Sequence, residues 1–221
     1  MTKTTHLLAA TALPVLFVLA AGASAELVVN GGFEDHSFDE SVFNMDNADF
    51  TAGVVGATGF GAANEIDILS NDDLSFDLVA TAQGSWSAVI HSSTFNGLSD
   101  ALSLTLTESL VVGQRYRVEL MASASTTFGE GDGPLEIGVS EVNEAFGTLV
   151  HSFDTLSQDS WAAYSAEFTA AEAASFLTLR AAFAGDVGVW AQIDGVSLIA
   201  VPAPGGVLLA ACGFAGLRRR R

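Results

Sequence analysis

The stretch VGVWAQIDGVSLIAV, residues 187–201, decides the fold. Val187, Val189, Ala191 and Ile193 hold one face of an extended chain. After Asp194-Gly195 the apolar set becomes Val196, Leu198 and Ala200, one residue out of phase. A strand repeats every two residues, so a slip of one sends every later side chain to the other face. The pair therefore predicts a β-bulge or a tight turn. A carboxylate beside such an irregularity is a candidate cation ligand, and an Asx-turn is the plainer alternative. Trp190 falls on the outward phase of this strand and is the best candidate for a surface aromatic.

The same period recurs upstream. Leu102, Leu104 and Leu106 alternate with Ser and Thr; Tyr116, Val118 and Leu120 alternate with Arg115, Arg117 and Glu119. Leu177, Leu179, Ala181 and Phe183 follow the same rule. Turn clusters such as FNGLSD, GEGDGP and FAGDVG separate the runs. No long helical period and no βαβ rhythm interrupts them. The expected fold class is all-β, an antiparallel sandwich spanning residues 26–200.

Four segments in order carry a family resemblance: ELVVNGGFED (residues 26–35), LVVGQRYRVELMASAS, WAAYSAEFTAAEAASFLTLRAAF (residues 161–183) and AQIDGVSLIAV. They resemble the strands of galactose-binding-like jelly-roll domains, including family 4/9-type carbohydrate-binding modules. The resemblance implies a jelly roll, with Trp161 in or beside the core. It also implies a structural calcium tying the first strand to the last, held by the Gly32 carbonyl, Glu34 and Asp194. Ca²⁺ takes six to eight oxygens. A further carboxylate is therefore expected, and Glu65, Asp67 and Asp72 are the candidates. Polysaccharide is the ligand class implied, with Trp190 and Trp86 as stacking candidates.

The two ends read as addresses. Residues 1–25 have an early Lys3, an apolar stretch from Leu7 and the small-residue triplet Ala23-Ser24-Ala25. That is the pattern of a secretory signal peptide, a helix cleaved before Glu26; a retained anchor is the alternative. At the other end, residues 201–221 run VPAPGG, then GVLLAACGFAGL, then RRRR. The prolines stop the last strand. About twelve apolar residues make a short helix of about 18 Å, less than the roughly 30 Å hydrocarbon core. The terminal arginines suit the cytoplasmic side of an inner membrane.

This tripartite tail resembles the PEP-CTERM sorting signals of Gram-negative bacteria, in a VPAPG-type variant. The matching residues are Val201, Pro202, Pro204, Gly205, Arg218, Arg219, Arg220 and Arg221. The resemblance implies export, transient residence in the inner membrane and processing by an exosortase-type enzyme. Delivery to the cell surface or extracellular matrix follows. A plain tail anchor is the alternative, and Ala203 stands where Glu is usual.

Charge and motifs exclude several functions. The chain holds 8 basic and 26 acidic residues. All 26 acidic residues lie between Glu26 and Val201, with only Arg115, Arg117 and Arg180 against them, a net of −23. Such a surface repels phosphate backbones, so no nucleic-acid partner is expected. Cys212, the one cysteine, lies in the tail, so the exported domain has no disulfide. His6, His36, His91 and His151 are scattered without metal spacing, and no G-x-S-x-G, H-E-x-x-H or phosphate-binding glycine loop occurs. The sequence reads as a non-enzymatic, exported surface or matrix protein, the alternative being a calcium-stabilised carbohydrate-binding module.

Overall fold

Two antiparallel sheets pack face to face in the computed structural model, which describes residues 25–72, 78–126 and 133–202. Residues 1–24 of the segment read as a signal peptide and all but the first two residues of the tail lie outside them. The strands are β1 Val42–Met45, β2 Ala57–Gly59, β3 Ile66–Ser70, β4 Trp86–Ser93, β5 Leu98–Ser99, β6 Ala101–Thr105 and β7 Arg115–Ala124. They continue as β8 Leu135–Ser140, β9 Thr148–Phe153, β10 Ala162–Thr169, β11 Phe176–Ala181 and β12 Val189–Ala200. One seven-residue helix, α1 Asn47–Gly53, starts where the Asp46 side chain accepts a hydrogen bond from Asp49 N.

The larger sheet runs β1-β3-β4-β12-β7-β10, with β5 added beside β4; the smaller runs β2-β6-β11-β8-β9. Every pairing between these strands is antiparallel. This is the all-β antiparallel sandwich that the alternation predicts, and it agrees with the jelly roll that the resemblance implies. Leu102 and Leu104 of β6 and Leu177 and Leu179 of β11 face Val118 and Leu120 of β7 and Ile193 and Leu198 of β12 across one continuous core. Two expectations fail at strand ends. β11 stops at Ala181, leaving Phe183 in a loop, and Val187 stands 41% exposed in the turn before β12. Alternation continues in the sequence past the point where hydrogen bonding ends.

The phase slip in β12 is a bulge. Its register against β7 shifts between Asp194 and Ser197, and Gly195 adopts φ +56°. Ile193 and Val196 both remain in the core on either side of it. Trp190, Gln192 and Asp194 project from the opposite, outer face of the larger sheet. The N-G-G segment docks against the bulge: Gly31 O accepts from Val196 N at 2.9 Å, and a Cβ on Gly31 would stand 1.8 Å from Val196 O. Only glycine permits that approach.

Candidate functional site

Docking of residues 30–34 on the bulge brings the three expected cation ligands together. A methyl group on Gly32 would lie 3.8 Å from both Asp194 Oδ1 and Glu34 Cγ. Asp194 is fully buried. Its Oδ1 accepts from Gly195 N at 2.6 Å and its Oδ2 from Gln83 N at 2.7 Å. Glu34 Oε1 accepts from Ser85 N at 2.7 Å and Trp86 N at 2.9 Å. Burial pushes the Asp194 carboxyl up to about 6, against the backbone donors of Gln83, Gly195 and Ala82, and the Glu34 charge adds to the rise. Neither carboxylate has an ion-pair partner among the described residues. A buried carboxylate with an exposed one near it suits a hard cation in kind.

The extra carboxylate is not where the sequence suggests. Glu65 and Asp67 gather instead around His91, and Asp72 is exposed. Among the described residues no three His, Cys, Asp or Glu side chains form a cluster able to hold a metal by themselves. His91 Nδ1 lies 2.6 Å from the buried Asp100 Oδ2, and Nε2 lies 3.6 Å from Glu65 Oε2. Burial alone would lower the His91 pKa, but the hydrogen bond and charge of Asp100, with Glu65 and Asp67 adding, raise it. Asp67 is pushed up to about 7 by burial, opposed by its bond from Asn44 N (2.7 Å), the His91 charge and the Trp190 side chain, with Asp100 pushing it further up. This group was invisible in the sequence because a hairpin and two strand pairings assemble it.

Neither tryptophan is the open stacking platform expected. Trp190 does take the outward phase, yet it is only 8% exposed. It forms a second, smaller apolar cluster with Leu69, Leu78 and Val89. The cover is a strap, residues 78–85, laid across the outer face of the larger sheet. Val79 exchanges two hydrogen bonds with the buried Gln192 side chain, at 3.1 and 2.8 Å. Thr81 N donates to Asn71 Oδ1 at 2.7 Å, Gln83 N to Asp194, and Trp161 Nε1 to Ala80 O. Trp161 is thus an edge clamp. Trp86 packs half-buried against the core with the His36 ring edge-on at 4.0 Å. Of the tail residues, Val201 and Pro202 are described. Val201 N donates to Arg115 O at 2.8 Å and Pro202 is exposed. Pro204, Gly205, Arg218, Arg219, Arg220 and Arg221 lie outside the described residues.

No protein-family model and no curated protein matches the chain. Among solved structures it is similar to the CBM22-1 xylan-binding domain of Paenibacillus barcinonensis Xyn10C, with 15% identity, 83% of this chain, 99% of that one and TM-score 0.47. It is similar to the K2 cleaved adhesin domain of Lys-gingipain, with 11% identity, 83% of this chain, 100% of that one and TM-score 0.49. It is also similar to an arabinose-bound α-L-arabinofuranosidase, with 14% identity and TM-score 0.49, where it covers 82% of itself but spans only 27% of the larger chain.

Proposed function

We propose that this is an exported, non-enzymatic protein of the bacterial surface or matrix, delivered by its two end segments and working through the jelly-roll domain between them. The observation that carries the reading is the meeting of the first and last residues of the described domain at one pole. Glu26 bridges Ile199, Leu27 N donates to Leu198 O at 3.0 Å, and Val201 is bonded to Arg115 O and Gln114 Nε2. A leader removed before Glu26 and a membrane-bound tail beyond Pro202 would both depart from that pole, leaving the rest of the sandwich free.

Calcium belongs to this reading. Glu34, Asp194 and the Gly32 carbonyl would hold it, with water completing the set, and the ion would lock residues 30–34 to β12 and neutralise the buried Asp194 beside the exposed Glu34. The second reading makes the domain a polysaccharide-binding module. It is favoured by an aromatic side chain standing open at the pole away from the ends, Phe95 at 97% exposure.

The delivery reading is tested by expressing the full chain in a Gram-negative host with and without an exosortase, then sequencing surface protein by mass spectrometry. The expected mature chain starts at Glu26 and lacks Arg218 to Arg221. Intact arginines on the surface protein overturn processing, and cytoplasmic retention overturns export.

A further inference from the structure

The pole opposite the chain ends carries a groove of its own. β12 spans its twelve residues, roughly 40 Å, between the two poles. At its far end two turns stand side by side, residues 94–97 between β4 and β5 and residues 182–188 before β12. Buried Ser92 ties them together: its hydroxyl donates to Ala182 O at 2.9 Å and accepts from Val189 N at 2.9 Å. Each turn is also braced internally. Gly97 N donates to Ser93 O and Leu98 N to Asn96 Oδ1, while Ala184 and Val187 exchange backbone bonds at 2.9 and 3.2 Å.

Between them lies an open groove of about 400 Å³ lined by Thr94, Gly97, Phe183, Gly185 and Asp186. That volume falls within the range of small-ligand sites, about 300–1,000 Å³. Three exposed apolar residues stand next in sequence to this lining: Phe95 (97%) beside Thr94, Val187 (41%) beside Asp186 and Leu98 (39%) beside Gly97. Apolar side chains left in water on the two turns that border a concavity offer contact surface to an occupant.

We propose that this groove is a saccharide subsite, in which a neutral sugar ring stacks on Phe95 and donates hydroxyl hydrogen bonds to Asp186. The inference rests on the polysaccharide-binding reading and gives it a place. Charge selects the occupant. Asp186 is the one charged residue in the lining, and the net charge of −23 over residues 26–201 rejects anionic polymers. A neutral polyol supplies the hydroxyl donors that a carboxylate accepts, and its C–H face suits an exposed aromatic ring. The chain's own tail leaves from the opposite pole, so the groove faces outward when the protein is tethered there.

The test uses the full chain, its Phe95→Ala and Asp186→Asn variants, an array of neutral and anionic glycans, oligolysine as a cationic control, and sedimentation. Both side chains are exposed, so both variants should melt with the wild type. The proposal expects wild type to bind a neutral glycan, F95A to lose at least tenfold and D186N to lose affinity less severely. Wild-type binding that both variants retain overturns the subsite and leaves the polysaccharide reading standing. Binding to no glycan overturns both. Binding to oligolysine alone, or a dimer that F95A dissolves, overturns the subsite in favour of a cationic partner or a second copy.

Discussion

Asp67 and Asp194 are carboxylic acids kept from water, and their titration sets the pH behaviour of the domain. Folded, they hold protons to about pH 7 and about pH 6; their ordinary value is 3.8. Between those values the native state binds more protons than the unfolded state, so stability falls as pH rises from about 4 to 7. His91 acts in a neighbouring window: its raised pKa stabilises the fold below 6.5, and that contribution is lost as pH rises through the folded value. The expected result, with chelator present, is a melting temperature that declines steadily from pH 4.5 to 7.5. Asp67→Asn should flatten that decline, because an amide does not ionise. A rising or flat wild-type profile would contradict this assignment. Gly31→Ala places a methyl against Val196 O and should cost about 3 kcal/mol or more, read from urea unfolding.

At the scale of elements, the strap over the larger sheet explains what the outer face does. Gln192 holds Val79 through both ends of its side-chain amide, Oε1 accepting from Val79 N and Nε2 donating to Val79 O, and Nε2 also reaches Ser87 Oγ at 3.0 Å. Gln192→Ala should leave the Val79 N–H and carbonyl without these partners, costing about 2 kcal/mol. Hydrogen exchange should then accelerate at residues 79–83 while β7 stays protected; unchanged exchange there would show that Gln192 does not hold the strap. The strap also marks where sequence reading stops. Alternation correctly assigns Trp190 to the outer face, but a strand's period says nothing about what lies above that face. Residues 78–85 have no periodicity, and their anchors, Gln192, Asp194 and Trp161, lie about 80 to 113 positions away. Asp194 stood out beside its phase slip, whereas Glu34 was named only through the resemblance of residues 26–35. The His91–Asp100 contact was not legible, because it depends on the geometry of the β4–β5 hairpin.

The described domain has two unlike poles, one gathering Glu26 and Val201 and the other exposing Phe95. Calcium is predicted to act on the body between them. If binding has the 10⁻⁴–10⁻³ M affinity usual for extracellular modules, 10 mM calcium should raise the melting temperature by roughly 3–10 °C. Asp194→Ala should remove that shift, and a chelator with no effect on wild type would overturn the site.

The sequence by itself determined the all-β class, the positions of strands β6, β7, β11 and β12 and the irregularity at Asp194-Gly195. These are local consequences of a two-residue side-chain period and of where it slips. Burial of Trp190, the company kept by Asp67 and the separation of the two poles were decided only by tertiary structure. Each depends on which distant segments the sheets bring together, and a periodic pattern fixes a side chain's direction without fixing its neighbour.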